Sequence, residues 1–225
     1  MINIQKQIHH YNSEVSKFEA QLIAISKTKP DEDIIIAYES GQRHFGENKV
    51  QELSGKFERL PNDIKWHMVG HLQRNKIKFI ANFVYLIHSV DSERLLAAID
   101  KQARKVGRTI NVLLQIHIAE EDTKSGFTVN EIDELINSPS FKSYSNVKIS
   151  GLMGMATNTE NKSLIRSEFK GLKDSFEKLK SEHKVLSNMD TISMGMSGDY
   201  KIALEEGSTM IRIGSSIFGS RNYAS

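Results

Sequence analysis

Leu22-Ile23-Ala24-Ile25-Ser26-Lys27-Thr28-Lys29-Pro30, running on into Asp31 and Glu32, sets the pattern for the whole chain. A short run of aliphatic residues reads as a buried strand, and Pro30 punctuates its end. Asp31 and Glu32 complement the positive end of a helix dipole, and Gly41 closes that helix. The same strand-then-helix unit recurs along the sequence. Strands are expected near 21–27, 43–46, 66–69, 83–88, 110–118, 147–153, 191–194 and 209–213, each short, rich in Ile, Val, Leu or aromatics, and followed by a helical pattern.

The helices carry their own signals. Leu95, Leu96, Ile99, Ala103 and Val106 line one face of a helix that stops at Gly107. Thr128 and Glu131 have capping-box spacing ahead of Ile132, Leu135 and Ile136. Ile165, Phe169, Leu172, Phe176 and Leu179 repeat every three or four residues, which reads as a helix packed on a sheet rather than a partner surface. A further helical pattern precedes the first strand. Eight such units predict an α/β fold, a single (β/α)8 TIM barrel as one domain over 1–225, near the usual size of about 250 residues. An open doubly wound sheet is the alternative. With Pro 3 and no Gly/Ser-rich tract, no linker is apparent.

Composition narrows the function. Lys+Arg 30 against Asp+Glu 28 leaves +2, which lacks the basic footprint of a nucleic-acid binder. Cys 0 excludes disulfides, thiolate nucleophiles and thiolate metal sites, and fits a reducing compartment. Neither a secretory leader nor an apolar run long enough to span a membrane is visible, so a cytoplasmic location is expected. His67, His71, His88 and His117 fall near strands without metal-ligand spacing, and read as structural. Motifs of serine hydrolases, P-loops and dinucleotide-binding folds do not occur.

In a barrel the functional groups lie at the C-terminal strand ends. These present Lys27, Gly46-Glu47-Asn48, Gly70-His71, Ser89, Lys124-Ser125-Gly126, Met153-Gly154-Met155, Ser197, and Arg212 with Gly214 and Ser215. Lys27 is the candidate for an imine, because burial or a nearby cation lowers an amine's pKa and frees its lone pair. The plain alternative is an exposed strand-end lysine. Lys29 shares its parity but lies further out, against Pro30. Ser197 reads as an N-cap of a helix bearing Tyr200, Ala203 and Leu204, whose amides would suit a phosphate, or as a cap alone. Gly214-Ser215 adds a second set of amides and a hydroxyl. Arg212, inside Met210-Ile211-Arg212-Ile213, requires an ion-pair partner or a ligand such as a pyridine nitrogen. An amine facing two anion-gripping loops is equipment for a phosphorylated aldehyde, which points to pyridoxal 5'-phosphate.

Ordered motifs then bring a resemblance into view. They are Ala24-Ile25-Ser26-Lys27-Thr28-Lys29-Pro30, Gly41-Gln42-Arg43-His44-Phe45-Gly46-Glu47-Asn48 and Trp66-His67-Met68-Val69-Gly70-His71-Leu72-Gln73. Lys124-Ser125-Gly126, Gly151-Leu152-Met153-Gly154-Met155, Ser193-Met194-Gly195-Met196-Ser197 and the run from Gly207 to Gly219 follow. From about Leu22 to Tyr223 the chain resembles the pyridoxal phosphate homeostasis proteins. The resemblance implies an alanine-racemase-like barrel holding the cofactor as a Schiff base on Lys27. It also implies phosphate contacts at Ser197, Gly214 and Ser215, Arg212 near the pyridine nitrogen, and Asn48 in the pocket. Asp199, in a loop where relatives vary, and a shorter N-terminal segment are departures.

Two function classes use this constellation. A racemase must move protons on both faces of an α-carbon and needs two placed acid/base groups. One barrel consumes nearly all the sequence and leaves no second domain for the opposing group, so a non-catalytic carrier is expected. It would be a monomer with apo-enzymes that require the cofactor as recipients. A phosphate-binding barrel enzyme without pyridoxal phosphate is the third reading.

Overall fold

The computed structural model describes residues 2–119 and 126–219. Lys124 and Ser125, and the end of the resemblance at Tyr223, lie outside the described residues. Eight parallel strands close into a barrel in strict chain order. They are β1 (Gln21–Ile25), β2 (His44–Glu47), β3 (Lys65–Met68), β4 (Leu86–Val90), β5 (Ile110–Gln115), β6 (Val147–Met153), β7 (Thr191–Ser193) and β8 (Met210–Ile213). Closure is by β1 on β8, with Ile23 opposite Arg212 and Ala24 opposite Ile213. The open-sheet alternative is thereby set aside.

Helices α1 (Ile4–Ser16), α2 (Asp31–Glu39), α3 (Val50–Arg59), α4 (Glu93–Lys105), α5 (Val129–Asn137), α6 (Lys162–Glu182), α7 (Tyr200–Glu205) and α8 (Ser215–Phe218) surround it. The crossover after β3 differs from expectation, being a 3-10 run over Arg74–Phe79. Ile77 is its buried residue, and Ile80 and Ala81 just after it are buried as well, a spacing of three that a tight turn supplies.

The strand starts and ends also shift for local reasons. β4 begins at Leu86 rather than 83, because Phe83 and Val84 still donate backbone bonds to Ile80 in the preceding turn. β5 ends at Gln115, after which Ile116 still donates its amide to the Met153 carbonyl and forms an isolated bridge to Phe127. β1 ends at Ile25, because the chain turns sharply at Thr28.

Helix burial follows the sequence pattern. Ile165, Phe169, Leu172, Phe176 and Leu179 of α6 are all buried. Each removes apolar surface worth roughly 1.5–3 kcal/mol. On α4, Leu95, Leu96, Ile99 and Ala103 are buried, but Val106 follows the last turn and is exposed. The Thr128–Glu131 capping box forms, with the Thr128 amide donating to the Glu131 carboxylate at 2.7 Å. The main core fills the space between strands and helices. A separate small cluster of Leu86, Leu113 and Met153 lies apart from it.

Candidate ligand cavity at the barrel rim

Lys27 follows β1 and is half-buried. Its next residue, Thr28, has φ 62, a left-handed conformation that costs a β-branched residue on the order of 1–3 kcal/mol. Side chains from α3 hold this turn. The Thr28 amide donates to Glu52 Oε2 at 2.7 Å, and the buried Lys56 ammonium donates to the Ser26 carbonyl at 2.7 Å. Lys56 also pairs with Glu47 Oε1 at 2.7 Å, and the Ser26 hydroxyl donates to the same oxygen at 2.7 Å. The peptide groups on both sides of Lys27 are therefore fastened. Burial pushes the Glu47 carboxyl above its usual range, against the pull of Lys56 and Ser26, and its Oε2 has no hydrogen-bond partner. Lys29, the competitor of equal parity, donates from Nζ to the Phe218 carbonyl at 2.8 Å.

On the neighbouring strand β8, Arg212 is buried. It donates from Nη1 to the Ser193 hydroxyl at 2.6 Å and from Nη2 to the Gly154 carbonyl at 3.1 Å. Burial brings its pKa down to about 10, which leaves it a cation at neutral pH. A hydroxyl and a carbonyl hold it, and the Asp199 carboxylate favours its charged form, so the rim carboxylate that the sequence left open acts on it as well. Gly195 turns the chain after β7 at φ 96, and an added Cβ would meet the Ala203 Cβ at 2.6 Å. The expected N-cap role of Ser197 is corrected. Asp199 holds the N-cap position of α7 without a side-chain cap bond, its carboxylate accepting from the Met196 amide instead, because the 196–199 turn closes before the helix begins at Tyr200. Ser197 stays in the loop that faces the cavity. Gly214 caps α8 and Ser215 opens it, where the first amides of a helix lack intrahelical acceptors.

These groups meet in a cavity of about 450 Å³, within the rough range of 300–1,000 Å³ for small-molecule sites. Lys27, Asn48, Ser197, Arg212, Gly214 and Ser215, all six candidates, line it. Lys29 adds a third cation, Ile25, Val69, Met155 and Met196 give apolar walls, and among the described residues no carboxylate lines it. Asn48 is held by close backbone approach, since a Cβ on Gly70 would come within 2.4 Å of the Asn48 carbonyl oxygen. Three cations, apolar walls and hydroxyl or amide donors together fit a flat anionic ligand with a phosphate and an aldehyde. His71 and Ser89 do not join them. His71 faces Asp91 at 3.5 Å beside a different cavity, and Ser89 donates to the Gly70 carbonyl.

Sequence reading missed two networks. One is the Glu47–Lys56–Glu52 set beneath Lys27, whose signal was Lys56 three residues after Leu53 on the apolar face of α3. The other is a polar column inside the barrel. His44 Nδ1 meets His67 Nε2 at 2.9 Å, His67 Nδ1 meets His88 Nε2 at 2.8 Å, and His88 Nδ1 meets Ser193 Oγ at 2.9 Å. Burial is the main cause that lowers all three imidazole pKa values, to about 4 for His44 and well below the usual value for His67 and His88.

Comparison with known proteins agrees with this geometry. Residues 2–222 match the family model described as alanine racemase, N-terminal domain. The chain is 38% identical over 205 residues to a pyridoxal phosphate homeostasis protein of Aquifex aeolicus, covering 91% of this chain and 88% of the relative. It is 36% identical over 242 residues to one from Vibrio alginolyticus, covering 100% of both. Among solved structures, PipY of Synechococcus elongatus is 33% identical over 96% of this chain and 100% of that one. Its TM-score is 0.90 without PLP and 0.87 with PLP bound.

Proposed function

The chain belongs to the alanine racemase N-terminal domain family and, within it, to the pyridoxal phosphate homeostasis proteins, and from that premise we propose that it binds pyridoxal 5'-phosphate as a Schiff base on Lys27 and serves vitamin B6 homeostasis without substantial catalysis. The observation that carries this reading is the rim cavity with three cationic side chains and, among the described residues, no acid in its lining. PipY, with PLP bound in one of its structures, supports it.

When bound, the cofactor supplies an aldehyde that condenses reversibly with an amine. In this reading Lys27 offers that amine, on a backbone held by Lys56 and Glu52. Ser197, Gly214 and Ser215 would hold the phosphate through hydroxyl and amide donors. Ile25, Val69, Met155 and Met196, which line the cavity, would pack on the ring, and Asn48 would border it. Arg212 would donate toward the ring nitrogen. A cationic donor there keeps that nitrogen unprotonated and makes the ring a poor electron sink, which suits storage better than turnover. The reading extends to one barrel domain over 1–225, acting as a monomer in the cytoplasm and passing the cofactor to apo-enzymes. Among the described residues, no helix is long and apolar enough to cross a membrane.

The test pairs a visible absorbance titration with pyridoxal phosphate, wild type beside Lys27→Ala, with a chiral assay on amino acids. A Schiff-base band in wild type that is lost or displaced in the variant, without sustained turnover, is the expected result. Racemisation at about 1 s⁻¹ or faster would make the protein an enzyme.

A further inference from the structure

Barrels of this class usually fill their interior with layers of branched apolar side chains. Here His67, His88, Ser193 and Arg212 are buried, each less than a tenth exposed, and they bond in series down to His44 at the start of β2. Four buried polar groups on one line are costly unless every donor meets an acceptor.

Arg212 fixes the direction of the series. A guanidinium only donates, so the Ser193 oxygen accepts from Nη1. The Ser193 hydroxyl has one proton of its own, and among its described partners only His88 Nδ1 can accept it. His88 is then protonated on Nε2 and donates to His67 Nδ1. By the same step His67 is protonated on Nε2 and donates to His44 Nδ1. In the reverse order the Ser193 proton would be orphaned in the interior, at a cost of about 1–3 kcal/mol. Charge is also excluded. Arg212 stands at one end and Lys65 beside His44 at the other, while the Tyr85 ring packs against His44 and His67. Among the described residues no carboxylate forms an ion pair with these three rings. Burial disfavours the imidazolium in all three, and Arg212 adds to this at His88.

We propose that Ser193 and His88 are positioning residues for the cofactor's ring nitrogen, acting through Arg212 as the head of a one-directional column in which His88, His67 and His44 are neutral and protonated on Nε2. The proposal rests on the reading that Arg212 faces that nitrogen. Two guanidinium N–H groups are spent on Ser193 and Gly154, which anchors the group from behind and leaves the others for the cavity it lines.

Two measurements test it on the full chain. The first is long-range ¹⁵N–¹H NMR of ¹⁵N-histidine protein at neutral pH without cofactor, assigned with single His→Gln variants. It should find the three rings neutral with the proton on Nε2; a proton on Nδ1 of His88, or an imidazolium there, overturns the column. The second is pyridoxal phosphate titration of His88→Gln and His88→Leu. Gln accepts from Ser193 and donates to His67, so it should bind within about twofold of wild type, whereas Leu should weaken binding about tenfold and shift the pH at which the bound absorbance changes. Folded His88→Leu with wild-type affinity and pH profile overturns the positioning role. If that variant does not fold, Ser193→Ala replaces it with the same expectation. Failure of wild type itself to take up pyridoxal phosphate would defeat the binding proposal, while the NMR result would still decide the column.

Discussion

The ammonium of Lys56 donates to the carbonyl oxygen of Ser26 at 2.7 Å, so a buried charge on α3 is fastened to the peptide that leads into Lys27. The same ammonium neutralises Glu47, which is fully buried. Removing one partner strands the other. Lys56→Met should therefore destabilise the fold by roughly 3–5 kcal/mol, and the double variant with Glu47→Gln should recover part of that loss. Urea unfolding midpoints of the three proteins check this.

Thr28 tests the strain at the same turn. Thr28→Gly places a residue without a Cβ at φ 62, and the Glu52 bond to the backbone amide is unaffected by side-chain identity. Relief of the left-handed strain should outweigh glycine's unfolded-state entropy and raise stability by about 1 kcal/mol. A fall in the denaturation midpoint would mean that Thr28 is not strained.

Charge at the rim gives a third expectation. Arg212→Lys keeps a cation but loses the planar fork that reaches Ser193 and Gly154 together. Pyridoxal phosphate affinity should drop about tenfold or more, equivalent to at least ~1.4 kcal/mol. Ser197→Ala and Ser215→Ala should each weaken binding by a similar factor, since each removes a donor to an anion. Absorbance titration measures all three.

The buried histidines make the fold acid-sensitive. His44 has a folded pKa of about 4 against 6.5 in the unfolded chain, with burial the main cause and Lys65 adding to it. Between those values the unfolded state binds more protons, so stability is full above pH 6.5 and is lost as pH falls toward 4. His44 contributes on the order of 2 kcal/mol to this loss, reduced for its partial exposure, and His67 and His88 act in the same direction. His44→Asn should flatten the slope of unfolding free energy between pH 6.5 and 5.

The barrel was legible because aliphatic runs ending at Gly, Pro or Ser alternate with helical stripes such as Ile165 to Leu179, and because parallel strands need crossovers. The rim residues were legible because each lies near the C-terminal end of a strand or in the loop just beyond it. Ser197 as a cap was misread, since the 196–199 turn puts Asp199 at the N-cap position, and only the backbone path decides which residue stands there. The column escaped because His44, His67 and His88 are ordinary residues until alternation is read across strands. Their neighbours Phe45, Trp66, Met68 and Ile87 belong to the outer core, which turns the histidines inward. The networks beneath Lys27 and Arg212 depend on contacts between strands and helices far apart in sequence, which no local pattern encodes.

The central claim is a covalent link at one amine. Borohydride reduction of the protein with excess pyridoxal phosphate, followed by peptide mass mapping, tests it most directly. The account predicts a pyridoxyl adduct on Lys27, absent from Lys27→Ala. An unmodified Lys27 peptide, or an adduct carried by Lys29 instead, would contradict it.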